Sequence, residues 1–505
     1  MLRNVLRRLS GAEDPSTGSE RNPLISLRDQ PKANEASLTD LSWRGRLAWM
    51  GIGTASFHLA YVAPPCAFLI GVYVFALFQL SRQRTRFQTM NTAWLLTFLV
   101  YAPHLAFFWR IFGPAATALW LVLGFWLGLF LCLARFVRAR WGETVAAIAA
   151  PFLWMGLEYF RSELYILRFS WLNVGYAFAW AKSLPLFAGL GVYGIGFALM
   201  AMAAGLSRLR KGRACVWGAG ALALLALLTN FPSNSSPRPD QRTSGKELRI
   251  AGIQLEFPQG PEVVDWLERL RGQHPEADLY MLSEYTFQER PPEEVRQWCR
   301  RHGRYLLVGG KEPVNENDEV FFNMAYVLGP TGDTVFQQAK AQPIQFFKDG
   351  LPAPQQKVWD SPWGRVGICI CYDLSYTHLL DRLARQGAQA ILVPTMDVEE
   401  WGLYQHRLHA RVAPMRAAEY RVPVFRLASS GISQLAGPRG ELAQTKEFPG
   451  MGEVLAGTLR LAGSARRPLD RWLVWPAVVF SGGIAVSGVW LALTEGRRRR
   501  PKANG

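Results

Sequence analysis

The distribution of apolar residues divides the chain into helical spans and one globular segment. Seven apolar segments follow one another in the first half, and an eighth lies near the end. A straight helical span needs roughly 20 apolar residues, and several segments are shorter, so the count is about seven. The pattern predicts a helical membrane domain over residues 47–230 and a C-terminal transmembrane helix. The segments are residues 47–63, 66–80, 91–109, 115–134, 144–157, 184–206, 214–229 and 472–493.

Residues 248–461 show a different pattern, with short apolar runs that predict strands. Two such runs are residues 278–283 and 366–371, and residues 324–328 and 334–338 predict a hairpin. Half of the 505 residues are hydrophobic and 19% are charged. This composition indicates a membrane portion together with one sizeable globular domain.

The ends of the chain and its one linker are polar. Residues 1–46 are basic and contain Pro and Ser, and they predict a disordered cytoplasmic tail. Residues 231–247 predict a linker between the helices and the globular domain, and residues 494–505 predict a second basic cytoplasmic tail.

Lys and Arg residues indicate how the spans are oriented. Arg residues follow the second, fourth, sixth and last spans, whereas the loop after the first span has no Lys or Arg and the loop after the third has only Arg110. Because cytoplasmic loops are enriched in Lys and Arg, both termini are predicted to be cytoplasmic and the globular domain extracytoplasmic. Residues 246–460 hold 24 Lys and Arg against 27 Asp and Glu, so the net charge of +17 lies elsewhere. That location argues against nucleic-acid binding.

Three residues at predicted strand ends suggest covalent acyl transfer. Cys371 ends the run at 366–371, Glu284 follows 278–283, and Lys340 follows the hairpin. A Glu can deprotonate the thiol, the Cys can attack a carbonyl, and a Lys can stabilise the resulting negative charge. A helical pattern at 377–386 follows Cys371, and a helix N-terminus is expected to lower the thiol pKa. A buried Cys alone is more often a small apolar residue.

The other Cys and His residues give no metal signal. The six Cys residues form no CxxC pair, so a disulfide framework or zinc site is not expected. Cys369 and Cys371 are expected to share a strand face, which by itself is weak evidence for a pair. His406 and His409 lie one helical turn apart without an acidic partner at ligand spacing, and are expected to be structural. No metal and no cofactor is predicted.

Several motifs resemble known families. ICICYD at 368–373 and FFNMAYVLGPTGD at 321–333, with the order Glu, Lys, Cys, resemble the nitrilase superfamily of carbon–nitrogen hydrolases. This resemblance implies an αββα sandwich for residues 248–461. The E-x-x-R…W-L-x-x-G-Y pattern at 158–176 and GLGVYGIGF at 189–197, between spans, resemble the apolipoprotein N-acyltransferase family. The fold class is therefore predicted as a multi-span α-helical bundle, a nitrilase-like α/β domain and a C-terminal anchor.

That resemblance implies an activity and residue roles. An acyl chain would pass from a phospholipid to Cys371 as a thioester, and then to the amino group of a diacylglyceryl-cysteine. Glu284 would be the general base and Lys340 the oxyanion stabiliser. Around them the resemblance implies an oxyanion-hole backbone N–H at Tyr372, a second-shell carboxylate at Asp373, and substrate-binding residues Trp171, Tyr176, Asp349 and Trp401, the last as a lid.

The chain departs from the family in the loop after Lys340. This loop reads AQPIQFFKDG, and its acidic residue, Asp349, comes one position late. Asp373 also stands where the family usually has Glu. These departures indicate a divergent member, with altered donor or acceptor preference open.

The resemblance also implies partners and a location. It implies phosphatidylethanolamine as donor, diacylglyceryl lipoproteins as acceptors, and a bacterial inner membrane with the catalytic domain on the periplasmic side. A monomer is expected because the sequence shows neither a heptad pattern nor an internal repeat. Two alternatives stay open: a membrane-anchored amidase or nitrilase acting on a small amide, and a non-catalytic scaffold. A transporter is disfavoured because no Asp, Glu or Lys lies near mid-span.

Overall fold

The computed structural model describes residues 41–182, 184–231, 243–314, 320–446, 452–463 and 465–499. Most of the predicted N-terminal tail, most of the linker and the last part of the C-terminal tail lie outside these residues. The first helix already begins at Trp43, where the Ser42 side chain accepts a hydrogen bond from the Gly45 N–H. Residues 43–46, which the sequence analysis placed in the tail, are therefore helical.

The N-terminal region is helical, and its helices lie over the predicted apolar segments without matching their ends. Within the described residues, three helical stretches are long and apolar enough to cross a membrane: Phe107–Leu164, Lys211–Asn230 and Asp470–Thr494. Two further apolar helices, Pro64–Leu80 and Val192–Leu206, are shorter. The helices are α1 (Trp43–Val62), α2 (Ile70–Leu80), α3 (Arg86–His104), α4 (Phe107–Phe112), α5 (Ala116–Tyr159), α6 (Leu184–Ala188), α7 (Val192–Leu206) and α8 (Lys211–Asn230).

Two glycines set where these helices break. Gly142, with φ 86°, kinks α5 between the segments predicted at 115–134 and 144–157. The single span predicted at 184–206 is wrong, because the chain turns at Gly191 with φ 83° between α6 and α7. A Cβ at Gly191 would lie 2.2 Å from the Asp470 carboxylate. That carboxylate accepts a hydrogen bond from the Tyr193 N–H at the start of α7, which stabilises a helix N-terminus.

The α/β domain contains two six-stranded sheets. Strands β1 to β3 are parallel, as are β7 to β9, and the remaining pairs are antiparallel. The strand orders are β12-β1-β2-β3-β4-β5 and β11-β10-β9-β8-β7-β6. The strands of the first sheet are β1 (Thr243–Ile253), β2 (Leu279–Met281), β3 (Tyr305–Pro313), β4 (Phe321–Leu328), β5 (Thr334–Ala339) and β12 (Val454–Ala462). Those of the second are β6 (Val358–Ser361), β7 (Gly364–Ile368), β8 (Ala390–Thr395), β9 (Val424–Ala428), β10 (Ser433–Ala436) and β11 (Leu442–Lys446).

The two sheets pack face to face and helices cover their outer faces. Ile250 and Leu307 of the first sheet meet Ile368 and Phe425 of the second in one buried cluster. The outer helices of the first sheet are α9 (Gly260–Gln273) and α10 (Glu293–His302). Those of the second are α11 (Thr377–Arg385), α12 (Leu403–Ala410) and α13 (Val412–Tyr420), which share a core with the N-terminal helices. The predicted fold class, an αββα sandwich with a helical region, is confirmed.

A last helix, α14 (Asp470–Arg499), returns along the N-terminal helices. It packs against α5 at Gly156, where a Cβ would lie 2.3 Å from the Ala477 carbonyl oxygen. Only a residue without a side chain permits this approach, which is typical of close packing between membrane helices. The C-terminal apolar helix is thereby tied to the N-terminal region.

Candidate active site

The three predicted catalytic side chains come from the carboxyl edges of the two sheets. Glu284 follows β2, Lys340 directly follows β5, and Cys371 follows β7. Side chains at such an edge point into the space between connecting loops. Glu284 is 3% exposed, Lys340 is fully buried and Cys371 is 2% exposed. Lys340 Nζ lies 2.8 Å from Glu284 Oε1, so the structure brings the first two together directly.

Asp349 supplies a second carboxylate to Lys340. Its Oδ2 lies 2.7 Å from Lys340 Nζ and accepts a hydrogen bond from the Ile344 N–H at 2.6 Å. The Tyr285 hydroxyl donates to the other oxygen, Oδ1, at 2.8 Å. The one-position displacement of this residue in the sequence therefore does not keep it from the lysine. Lys340 holds two buried carboxylates at once.

Asn323 is a site residue that the sequence analysis did not select. Its Nδ2 donates to Glu284 Oε1 at 2.7 Å and to Asp349 Oδ1 at 3.0 Å, and it is fully buried. The only sequence signal is an amide within the apolar run of β4. Because a buried amide must be hydrogen-bonded, that position could have been identified as polar and functional. The two carboxylates are thus linked by both a cation and an amide.

The backbone of Met396 connects Glu284 with Cys371. The Met396 N–H donates to Glu284 Oε2 at 2.7 Å. The Cys371 thiol donates to the Met396 carbonyl oxygen, with Sγ and oxygen 3.7 Å apart. The backbone of one residue after β8 therefore contacts both the Glu284 carboxylate and the Cys371 thiol. Sequence patterns could not show this contact, because it uses backbone atoms.

The local conformation around Cys371 differs from the expectation. Strand β7 ends at Ile368, and Cys371 begins a short 3₁₀ turn, Cys371–Ser375. Cys371 has φ 52°, which is uncommon for a non-glycine residue and clusters at functional sites. The expectation that Cys369 and Cys371 share a strand face is wrong: Cys369 packs towards the helices and Cys371 between the sheets. Both are free thiols.

Asp373 ties the cysteine turn to the loop after Lys340. Its carboxylate accepts hydrogen bonds from the backbone N–H groups of Ile370 at 3.1 Å, Ala341 at 3.1 Å and Gln342 at 2.7 Å. Burial raises the pKa of Asp373 to about 6, although Lys340 and these N–H groups oppose the rise. The shorter Asp side chain therefore reaches both segments.

The expected lowering of the thiol pKa is wrong. Burial and the charge of Glu284 hold the pKa of Cys371 well above the ordinary thiol value, and Lys340 offsets only part of this. The first N–H of α11, at Thr377, donates to Glu163 rather than to the thiol, at 3.0 Å. A thiol in this environment is protonated at rest, and it needs a base before it can act as a nucleophile.

The pKa values of Glu284 and Lys340 suit that requirement. Burial raises the pKa of Glu284, although Lys340 opposes the rise. Burial lowers the pKa of Lys340, but the charges of Asp349 and Glu284 outweigh it and the net shift is upward. The lysine is therefore a permanent cation, and Glu284 is a stronger base than an exposed glutamate.

An apolar cavity opens beside Tyr372, the residue after Cys371. It encloses about 820 Å³, including its open mouth, where α4 and α5 meet the α/β domain. Its wall is almost entirely apolar and contains two predicted substrate-binding residues, Trp171 and Trp401. The lining residues are Phe107, Phe108, Ile111, Phe112, Leu119, Val122, Leu123, Leu167, Arg168, Phe169, Trp171, Ile344, Gln345, Phe346, Phe347, Tyr372, Trp401 and Gln405.

The aromatic residues predicted to bind substrate occupy different places. Trp171 Nε1 donates to Ser375 Oγ at 2.9 Å, and its ring packs edge-on against Tyr372 with centroids 5.6 Å apart. The Trp401 ring lies 6.2 Å from that of Phe347 at the cavity. Tyr176 does not line the cavity: it is fully buried, and its hydroxyl accepts a hydrogen bond from Arg416 at 2.7 Å.

The histidine pair does have an acidic partner, contrary to the expectation. His409 Nδ1 lies 2.9 Å from Asp397 Oδ1, and Arg426 also pairs with this carboxylate. A guanidinium therefore already provides the positive charge next to Asp397. Among the residues that the structure describes, no group of three or more His, Cys, Asp or Glu side chains is arranged to hold a metal ion.

Comparisons with known proteins agree with this architecture. The profile of the carbon-nitrogen hydrolase family matches residues 276–464, so the α/β domain is a nitrilase-type domain. The profile described as "Apolipoprotein N-acyltransferase N-terminal domain" matches residues 49–205. With both domains in this order, the chain is similar to apolipoprotein N-acyltransferase-like members of the nitrilase superfamily.

Individual relatives are similar over different shares of the chain. A protein of Geobacter metallireducens named apolipoprotein N-acyltransferase is 26% identical over 360 residues, which cover 62% of this chain and 68% of that protein. One of the same name from Pseudomonas syringae pv. tomato is 24% identical over 403 residues, or 70% and 77%. Omega-amidase NIT2-B of Xenopus laevis is 27% identical over 173 residues, or 31% of this chain and 62% of that protein.

Proposed function

We propose that this chain N-acylates lipoproteins, using a membrane phospholipid as the acyl donor and a thioester on Cys371 as the intermediate. The observation that carries the proposal is the apolar cavity between the helical region and the α/β domain, whose wall includes Tyr372, the residue after Cys371. A soluble amide would not need such a cavity, whereas a fatty-acyl chain gains about 0.8 kcal/mol for each methylene buried in it.

The first half-reaction transfers the acyl group to Cys371. Glu284 takes the thiol proton, and Sγ attacks the ester carbonyl of the phospholipid. The third N–H of Lys340 and the backbone N–H of Tyr372 stabilise the oxyanion. Collapse breaks the ester C–O bond, Glu284 returns the proton to the departing glycerol oxygen, and a lysophospholipid leaves.

The second half-reaction transfers the acyl group to an amine. The neutral α-amino group of a diacylglyceryl-cysteine attacks the thioester carbonyl, and Glu284 takes a proton from the attacking nitrogen. Collapse breaks the C–S bond, and the thiolate recovers the proton from Glu284. A thioester is activated towards amines. The buried site limits the competing attack by water.

The membrane setting is part of the proposal. The apolar helices span a bacterial inner membrane with both termini cytoplasmic, and the α/β domain lies on the periplasmic side. Phosphatidylethanolamine is the donor, diacylglyceryl lipoproteins are the acceptors, and the enzyme acts as a monomer. The distribution of Arg residues along the chain supports this orientation.

The substrate-binding roles follow from the cavity. Trp171, Trp401 and the Phe346-Phe347 pair form walls for the acyl chain. Asp349 acts through Lys340, whose charge and position it fixes, and Asp373 holds the backbone on both sides of the oxyanion site. Tyr176 acts only by supporting Arg416.

The donor half-reaction can be tested by intact-protein mass spectrometry. Purified protein in detergent is incubated with phosphatidylethanolamine, alongside the Cys371→Ala and Cys369→Ala variants. The proposal predicts a fatty-acyl mass on the wild type and on Cys369→Ala that hydroxylamine removes, and none on Cys371→Ala. Cys369 is a suitable control because it is a fully buried thiol two residues away. No adduct with phospholipids of several head groups would refute the proposal and favour a small-amide hydrolase.

A further inference from the structure

A second buried cluster of charged side chains lies next to Met396. It consists of Asp397, Arg426 and His409, all at most 1% exposed. The Arg426 guanidinium donates to Asp397 Oδ2. His409 Nδ1 donates to Asp397 Oδ1 at 2.9 Å, and Gln405 Nε2 is 3.3 Å from the same oxygen. None of these side chains has a role in the two half-reactions.

The cluster fixes the backbone on which the catalytic pair depends. Asp397 is the residue after Met396, whose N–H and carbonyl bind Glu284 and Cys371. Ser429 Oγ accepts the Asp397 N–H and donates to the Asp397 carbonyl oxygen, both at 3.1 Å. Asp397 is therefore held through its backbone by one loop and through its side chain by a strand and a helix.

The same cluster reaches the cavity wall through His409. The imidazole stacks on the Trp171 ring, with centroids 4.6 Å apart and planes 18° apart. Trp171 also contacts Tyr372 and Ser375 of the cysteine turn. Contacts therefore connect Trp171 in the cavity wall, through His409, with Asp397 and the backbone of Met396.

We infer that Asp397 is a positioning residue, which holds the backbone of Met396 where it orients Glu284 and Cys371 for acyl transfer. This inference rests on the proposed function. Rigid support of this kind is required because a misplacement of about 1 Å at a reacting centre can cost roughly 10²-fold in rate.

The charges in the cluster keep it fixed at neutral pH. Burial lowers the pKa of His409 to about 4, although Asp397 opposes the fall, so the imidazole is neutral. Burial would raise the pKa of Asp397, but His409 and Arg426 outweigh it and hold that pKa well below the ordinary value. The Asp397 carboxylate therefore stays ionised near pH 7, next to the Arg426 guanidinium.

The test measures the rate of acyl-enzyme formation in Asp397→Asn. An amide keeps the size of the side chain but cannot hold Arg426 as a carboxylate does. The first-order rate constant with phosphatidylethanolamine is expected to fall by about 10²-fold. The half-saturating lipid concentration should stay within about twofold, because Asp397 does not line the cavity. Asp381→Asn is the matched control, since it removes a carboxylate from a different ion pair, with Arg471.

Iodoacetamide labelling separates positioning from loss of structure. Cys299 and Cys369 are fully buried, so both stay unlabelled in a folded variant. Cys371 itself should be labelled several-fold faster in Asp397→Asn, because Asp397 is one of the charges that raise its pKa, together with Glu284 and Asp349 and against Lys340. The variant should therefore be more reactive to the alkylator and less reactive to the phospholipid.

Each outcome decides the inference. An acylation rate within threefold of wild type would overturn it, and so would slower acylation that appears only together with labelling of Cys299 and Cys369. If Asp397→Asn does not fold, Ser429→Ala, which loosens only the backbone contacts, must lower the acylation rate. If wild-type protein takes no acyl group, the proposed function fails, and labelling of Cys371 still decides positioning: a faster rate supports it and an unchanged rate overturns it.

Discussion

Lys340 is the single cation between two buried carboxylates, and its removal has consequences that can be worked out. Its Nζ lies 2.8 Å from Glu284 and 2.7 Å from Asp349, and all three residues are at most 4% exposed. Lys340→Met keeps most of the side-chain volume and removes the charge. The two carboxylates then keep the Asn323 amide, the Tyr285 hydroxyl and the backbone N–H groups of Ile344 and Met396 as hydrogen-bond donors.

The expected loss of stability is large. Removing one partner of a buried ion pair costs about 3–5 kcal/mol, because the other charge stays buried. For a domain of this size, each kcal/mol lowers the Tm by roughly 2–4 °C. Lys340→Met should therefore lower the Tm by about 6–20 °C at pH 8, as measured by thermal unfolding in detergent.

The loss depends on pH in a defined direction. Without the lysine, which opposes the rise, the folded-state pKa of Glu284 lies further above that of the unfolded chain. A carboxyl group with a raised folded-state pKa binds its proton more tightly in the folded state, so its contribution to stability is lost as the pH rises. The deficit in Tm should therefore be smaller at pH 5 than at pH 8.

A second substitution separates stability from catalysis. Lys340→Met combined with Asp349→Asn leaves one buried carboxylate, so the net charge of the site returns to that of the wild type. Much of the lost Tm should return, while acyl-enzyme formation stays undetectable because the oxyanion donor is missing. Wild-type stability of Lys340→Met at pH 8, or acyl-enzyme formation by the double variant, would refute the reasoning.

Three further predictions concern neighbouring parts of the molecule. Burial raises the folded-state pKa of Asp373 to about 6, so its contribution to stability is lost as the pH rises through that value. Asp373→Asn should remove this part of the fall in Tm between pH 4 and 7. A pH profile of Tm identical to that of the wild type would contradict the prediction. Val122→Trp narrows the cavity, so it should slow acylation by a 16-carbon donor at least about tenfold and leave acylation by an 8-carbon donor unchanged. Leu121→Trp is the control, because the Leu121 side chain is exposed, and it should change neither rate. Equal effects of the two variants would refute the assignment of the cavity to the acyl chain. Gly156→Leu should lower the Tm by several degrees because its side chain would meet the Ala477 backbone, and an unchanged Tm would show that α14 is not packed as described.

Local sequence patterns predicted much of the fold and the ends of the strands that precede Glu284 and Lys340. Periodicity and hairpin signals indicated the helices and the β4–β5 pair, and strand ends indicated Glu284 and Lys340. These signals work because each depends on neighbouring residues along the chain.

The remaining features depend on contacts between distant segments. The break at Gly191 requires the Asp470 carboxylate from α14, and the two-carboxylate site requires Asn323 from a third strand. The thiol pKa was misjudged because burial and Glu284 outweigh the adjacent helix end. Met396 acts through its backbone N–H and carbonyl groups. The pattern of side chains along the sequence does not predict such contacts.

The central claim is that the thioester on Cys371 passes to an amine in preference to water. The most direct measurement isolates the acyl-enzyme formed from phosphatidylethanolamine with a labelled acyl chain and mixes it with a diacylglyceryl-cysteinyl peptide. The account predicts that the labelled acyl mass leaves the protein and appears as an amide on the peptide's α-amino group, at a rate that rises with peptide concentration. Release of the label only as free fatty acid, at a rate independent of the peptide, would contradict it and identify a hydrolase.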